Sequence, residues 1–279
     1  MVYNNTEKGD DMGKFDSILL AADWDGTMYT GTEVPAKNAD AIRYFQAEGG
    51  LFTICSGRFY PFLSSFADQV KPNTYLITLN GACIVHPQTK ELLYESTLSP
   101  SFVSLLDEFL QKRGWFHTIT VYEKGKTESF AFAARNYATV RHMLCEREYY
   151  KVLMVSDREA EAREAVEHVN SLSLDGLMGT RSWTISAEIL DGRNTKGAAL
   201  RRVAGEVGAE LVVAVGDYEN DISMPEAADI SYTVANAADA VKAVADRITV
   251  SVSEGAIAAI IEDLAREWDN RPFRGQEPK

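Results

Sequence analysis

The stretch Ser17-Ile18-Leu19-Leu20-Ala21-Ala22-Asp23-Trp24-Asp25-Gly26-Thr27 passes abruptly from an unbroken apolar run to two acids and a glycine. A strand buried on both faces of a parallel sheet needs such a run, because neither face meets water. In an extended segment, residues two apart project to the same side, so Asp23 and Asp25 face one space. Gly26 then lets the chain turn away sharply. One carboxylate of such a pair can attack phosphorus. The other, when protonated, can donate to the leaving oxygen and afterwards activate water. Taken alone, an Asp-x-Asp-Gly is equally well a strand-ending turn with two solvated acids.

The same pattern recurs. Apolar residues 51–55 end at Ser56-Gly57-Arg58, residues 75–79 at Asn80-Gly81, and residues 211–215 at Gly216-Asp217. Helical patterns lie between these runs. Residues 38–48 carry Ala41, Ile42, Phe45 and Ala47 and are closed by Gly49-Gly50, and residues 196–207 carry Leu200, Val203, Ala204 and Val207 on one face. Alternating strands and helices predict an α/β fold with a doubly wound, mostly parallel sheet. The middle of the chain differs. Strand patterns at 115–122, 129–134 and 151–155 and helical patterns at 101–112, 136–148 and 158–169 predict an α+β unit inserted at 86–186, dividing the first domain into 1–85 and 187–279.

Four polar clusters are thus expected at the carboxyl ends of parallel strands, the edge where open α/β sheets build their sites. Beside Asp23 and Asp25 stands Ser56-Gly57-Arg58, whose hydroxyl and amides suit a phosphoryl oxygen. Lys196 opens a helix, where a cation opposes the macrodipole and calls for an anion nearby. Asp217 and Asp221 offer hard oxygen ligands of the kind Mg²⁺ prefers. Each cluster has an ordinary reading as turn, surface lysine or helix cap. Together they do not: converging acids repel by about 4 kcal/mol per close pair at an effective dielectric of about 20. Lys196 alone does not offset that, whereas a divalent cation does and also supplies the field that a phosphate needs. Protonation of Asp25 would relieve the rest and equip it as a general acid.

These motifs resemble the haloacid dehalogenase superfamily, in its Cof-like branch of metabolite phosphatases. Asp23-Trp24-Asp25-Gly26-Thr27 is similar to the first family motif, Ser56-Gly57-Arg58 to the second, Lys196-Gly197 to the third, and Gly216-Asp217 through Asn220-Asp221 and Met224 to the fourth. Asn80-Gly81-Ala82, Ala235-Asn236-Ala237 and Glu254-Gly255-Ala256 add to the likeness, which runs in order along almost the whole chain. The resemblance implies an aspartyl-phosphate on Asp23, with Asp25 as acid and base and Lys196 beside them. It implies Mg²⁺ held by Asp23, the backbone carbonyl of Asp25 and Asp217, with Asp221 one shell further out. Thr27, Ser56, Gly57, Arg58, Asn80, Lys196 and Asn220 would hold phosphate or substrate. The insertion would be a cap that closes over the site. An Asp at position 25 goes with phosphatases and mutases rather than dehalogenases. Trp24 departs from the aliphatic or Phe residue usual there and should face away from the acids, as a packing change.

The implied reaction is release of phosphate from a small phosphorylated metabolite such as a sugar phosphate. A hexose phosphomutase on the same core is the alternative, and a binding protein with a lapsed site is a third reading that intact Asp23, Asp25, Lys196 and Asp217 oppose. A net charge of −13 speaks against nucleic acid and anionic membranes as partners. Three cysteines without a paired framework suit a reducing compartment. Residues 1–15 are polar and do not read as a leader, and no apolar run is long enough to span a bilayer, so a cytoplasmic location is expected. Among insertion residues, His117, Arg135, Asn136 and Arg181 are candidates to touch the substrate.

Overall fold

The computed structural model describes residues 13–269. Most of the stretch read as non-leader, residues 1–12, lies outside them. Ile18–Ala22 is the central strand, and every residue in it is buried. Its side chains divide with the period of two. Ile18, Leu20 and Ala22 pack with Ile42, Phe45, Val213 and Ile260, whereas Leu19 and Ala21 pack with Leu200, Val203 and Val212. The first cluster lies under helices Ala36–Ala47 and Ala256–Asp269, and the second under Lys196–Val207. One core on each face is the reason the run contains no polar residue.

Five parallel strands run in the order Arg247–Thr249, Ile230–Val234, Leu211–Gly216, Ile18–Ala22, Leu51–Ile54. The chain leaves Ile18–Ala22 on one side and returns on the other as Leu211–Gly216. The order therefore reverses between these two strands, and a crevice opens at their carboxyl ends. Beyond Leu51–Ile54, Cys55 bridges to Ile77 in parallel. There Leu76–Thr78 starts a short antiparallel meander with Cys83–Val85 and Leu92–Glu95.

The inserted unit is an antiparallel sheet in the order Phe130–Ala133, Thr118–Glu123, Tyr149–Val155, Ser186–Asp191, Leu177–Thr180. Helices Tyr137–Glu146 and Glu159–Leu172 accompany it, together with Phe102–Leu106, which continues as a wider π turn over Asp107–Arg113. Ile119, Val121, Val152, Met154 and Ile189 enter this unit's own core. Their alternates Tyr122, Lys151, Leu153 and Glu188 therefore share the opposite face. The strand Leu92–Glu95 belongs to the meander of the first domain, and Ser186–Asp191 belongs to the inserted sheet. We therefore propose the insertion at about 96–191 rather than 86–186. Its last strand was hard to recognise because Glu188 and Asp191 interrupt the apolar pattern.

Trp24 is fully buried and stacks on Tyr29 at 5.4 Å and against Phe66 at 4.9 Å, in the core that also holds Phe45 and Phe52. Cys55 and Cys83 are buried, Cys145 is exposed, and all three are free thiols. No described helix is long and apolar enough to cross a membrane.

Candidate active site

Asp23 follows the central strand directly and stays in its ladder, its amide donating to the Val215 carbonyl at 2.9 Å. Asp217 follows Leu211–Gly216, and Asp221 closes the turn Glu219–Asp221. One oxygen from each of the three acids lies within 4.8 Å of the others. The Lys196 ammonium donates to Asp23 Oδ1 and to Asp221 Oδ1, each at 2.5 Å. Lys196 is fully buried at the start of its helix, behind the Thr195 cap that accepts from the Ala198 amide at 3.2 Å. The anion that a cation at a helix N-terminus calls for is thus present twice over.

The acids differ in how they are engaged. Asp221 uses Oδ1 for Lys196, and Oδ2 accepts the amides of Asp217 at 2.9 Å and Tyr218 at 3.0 Å. It shapes the loop that presents Asp217. Asp217 Oδ1 accepts the Thr27 hydroxyl at 3.0 Å. Two glycines make the close approach possible. A Cβ on Gly26, whose φ is +80°, would lie 2.3 Å from Asp217 Oδ2, and one on Gly216 would lie 2.5 Å from the Asp221 side chain. Asn236 fastens the Gly26 carbonyl at 2.9 Å and takes the Val252 amide at 2.9 Å.

Two buried carboxylates and the half-buried Asp217 face one ammonium here. Burial, and then the charge of Asp221, push the Asp23 carboxyl well above the usual range against the pull of Lys196. Burial and Asp221 likewise push Asp217 up to about 7. Burial alone would lower the Lys196 ammonium, but Asp221 and Asp23 outweigh it and hold it well above the ordinary lysine range. The cluster carries uncompensated negative charge on hard oxygen donors, and a small divalent cation such as Mg²⁺ fits that donor set.

Asp25 stands apart from the cluster. Its carboxylate is half-exposed and accepts two hydrogen bonds from Arg58, at 2.8 and 2.9 Å, while the guanidinium lies 4.5 Å over the Phe62 ring. Ser56 is buried, and its Oγ accepts the Arg58 amide at 3.0 Å. Asn80 sits in the left-handed region, with φ 59°, and accepts on Oδ1 from Asn220 at 3.1 Å. Thr27 is fully buried and turned toward Asp217.

A cavity of about 420 Å³ lies above these residues. Asp23, Asp25, Gly57, Arg58, Asp217 and Asn220 line its floor, and Tyr122, Lys151, Leu153, Ser182, Trp183 and Glu188 of the inserted unit line its roof. Lys151 and Glu188 are buried and pair at 2.9 Å. From there Lys151 donates to the Gly57 carbonyl at 3.0 Å, and Glu188 Oε2 accepts from Asn80 Nδ2 at 2.5 Å. The roof is thereby bonded to two of the loops that carry the floor.

Of the four insertion residues singled out from sequence, His117, Arg135 and Asn136 do not line this cavity. His117 lies 3.6 Å from Asp157, and Arg135 and Asn136 are exposed ahead of helix Tyr137–Glu146. Arg181 is close by, but its guanidinium is spent on Glu219. Lys151 and Glu188 went unnoticed, although a lone charge inside an otherwise apolar strand is the signal that could have marked them.

The model of the haloacid dehalogenase-like hydrolases matches residues 20–261. The 5-amino-6-(5-phospho-D-ribitylamino)uracil phosphatase YcsE of Bacillus subtilis (strain 168) is 26% identical over 259 residues, covering 91% of this chain and 96% of that protein. Phosphatase YwpJ of the same organism is 24% identical over 283 residues, covering 88% and 99%. The solved structure of the sugar phosphatase BT4131 superposes with a TM-score of 0.73 at 22% identity, over 88% of this chain and 98% of that one. The phosphatase BT1666 from Bacteroides thetaiotaomicron superposes with a TM-score of 0.71 at 22% identity, over 94% and 99%. At that identity the structural likeness shows the fold alone. The family match spans both the acids at the switch point and the inserted unit that roofs them, and on that ground the chain belongs to the haloacid dehalogenase-like hydrolases.

Proposed function

We propose that this chain is a Mg²⁺-dependent phosphatase that frees phosphate from a small phosphorylated metabolite, of the sugar phosphate class. The observation that carries the reading is the placement of Asp23. It lines a roofed cavity while Lys196 grips its Oδ1, which fixes the carboxylate where it can attack phosphorus. Asp23, the Asp25 backbone carbonyl and Asp217 would hold Mg²⁺, which would supply positive charge against these acids and the phosphoryl oxygens. Ser56 and the backbone beside it, together with Lys196, orient the phosphoryl group. Asp25, at the cavity edge, gives a proton to the leaving oxygen and later takes one from the water that opens the aspartyl-phosphate. The bonded roof excludes bulk water during transfer.

The names of the relatives above support this reading, since each is a phosphatase and one is a sugar phosphatase. Free thiols throughout support a cytoplasmic location. The test is phosphate release from a panel of sugar and nucleotide monophosphates, with Mg²⁺ and with a chelator, for the wild type and Asp23→Asn. Release that needs the metal and vanishes in the variant is expected. Release that survives in Asp23→Asn removes the nucleophile from the scheme.

A further inference from the structure

The segment that ends the strand Ile230–Val234 holds three backbone carbonyls of the acid loops. Thr233, fully buried, donates its hydroxyl to the Gly216 carbonyl at 2.8 Å. The Ala238 amide donates to the Asp217 carbonyl at 2.9 Å. Between them in sequence, Asn236 donates through Nδ2 to the Gly26 carbonyl at 2.9 Å. Residues 233–238 therefore bracket the loop that follows Ile18–Ala22 together with the loop that follows Leu211–Gly216.

Asn236 is itself anchored. Its Oδ1 accepts the Val252 amide at 2.9 Å, and the neighbouring Ala235 amide donates to the Val250 carbonyl at 3.4 Å. Val252 opens the turn Val252–Glu254, which the Ser251 hydroxyl fastens by donating to Glu254 at 2.7 Å. An N–H on one side and a carbonyl on the other leave the Asn236 amide a single orientation. The bracket has a force to resist. Asp23, Asp217 and Asp221 each bring an oxygen within 4.8 Å of the others, and like charges so close push their loops apart when no cation lies between them. Gly26 is where the two loops meet, since a Cβ there would come within 2.3 Å of Asp217 Oδ2. Asn236 does not line the cavity that holds Asp23 and Asp217, so its effect passes through the Gly26 backbone.

We propose that Asn236 is a positioning residue for the metal site: by tying the Gly26 carbonyl to the Val252 turn, it holds the loop 23–27 against Asp217 and gathers the ligand oxygens before Mg²⁺ arrives. This rests on the Mg²⁺ reading above. A site gathered in advance binds its cation more tightly, since less ordering accompanies binding. The experiment is calorimetric titration of Mg²⁺ into the wild type, Asn236→Ala and Asn236→Asp, beside melts of the metal-free proteins. Asn236→Ala removes both hydrogen bonds. Asn236→Asp keeps the acceptor for Val252 and removes only the donor to Gly26. Its added negative charge would attract Mg²⁺, so weaker binding in that variant does not come from charge.

Both variants are expected to bind Mg²⁺ about tenfold more weakly, the lower end of what groups just outside a metal's ligands contribute. The Mg²⁺ concentration that gives half-maximal phosphate release rises by the same factor, and kcat at saturating Mg²⁺ returns to the wild-type value. Wild-type Mg²⁺ affinity in either variant, whatever its melting temperature, overturns the proposal and leaves the metal reading standing. A kcat that stays low at saturating Mg²⁺ with unaltered affinity does the same. A wild type that binds no Mg²⁺ removes the metal reading, and this proposal with it.

Discussion

Arg58 grips Asp25 through two hydrogen bonds, at 2.8 and 2.9 Å, across the edge of the cavity. The pair is half-exposed on both sides, so it adds little to stability. Its consequence is positional. The carboxylate proposed for proton transfer is held by a guanidinium that an arriving phosphate would attract, so on the proposed function substrate entry would free Asp25.

Arg58→Ala should therefore cut kcat/KM by about 10–100-fold, the value of a charge-assisted contact. Stability should shift by no more than about 0.5 kcal/mol. Steady-state kinetics beside thermal melts checks this. A large fall in melting temperature with intact kinetics would make Arg58 a structural residue instead.

Lys196 is the only cation hydrogen-bonded to Asp23 and Asp221 among the described residues. Lys196→Met leaves buried acids unpaired and should cost about 3–5 kcal/mol at neutral pH together with the activity. Added Mg²⁺ should restore part of that stability. Denaturant melts with and without the metal measure both effects, and a variant as stable as the wild type would contradict the charge balance drawn here.

Asp217 has its carboxyl raised to about 7, by burial first and then by Asp221. A raised carboxyl costs the metal-free protein stability as pH climbs from the ordinary range of about 4 toward 7. Protons also compete with the cation below that point. Mg²⁺ affinity should fall by up to about tenfold for each pH unit below about 7. Calorimetry in two buffers of different protonation enthalpy should show proton release on binding near pH 6 and little well above 7. Equal proton release at both would count against Asp217 as a ligand.

Asp191 joins the two crossings between the domains. Its carboxylate accepts from Ser96 at 2.6 Å, from Arg193 at 2.8 and 2.9 Å and from Asn194 at 3.0 Å. Burial pushes its carboxyl up, but Arg193 and Ser96 outweigh burial and hold it down at about 2. The stability it contributes is complete above the unfolded value of about 4 and is lost as pH falls toward 2. Arg193 is largely exposed, so the contribution is discounted to about 1–2 kcal/mol. Asp191→Asn should lose that amount at pH 7 and show a shallower decline between pH 4 and 2, read from melts across that range.

Asp23, Asp217 and Lys196 were legible because each ends or opens an element whose apolar pattern is unmistakable, and a parallel sheet puts all such ends on one edge. Lys151 and Glu188 were not, because an antiparallel sheet shows its site on alternate residues of several strands and the sequence does not say which face is covered. Glu188 and Asp191 also hid the strand that carries them. The partner of Arg58 was beyond reach for another reason: a long side chain near a strand end has several acids within its radius, and packing selects among them. Arg181 was a candidate to touch the substrate, and the structure shows its guanidinium bound to Glu219 and Glu159 and absent from the cavity lining.

The central claim is a covalent phosphate on Asp23, and reductive trapping tests it most directly. The wild type is mixed with a turned-over sugar phosphate and Mg²⁺, quenched, treated with borohydride and digested for mass spectrometry. An acyl phosphate at Asp23 is reduced to homoserine, and that change confined to position 23, absent without substrate, is the predicted result. Turnover with an unmodified Asp23, or with the change at Asp217 or Asp25, would contradict it.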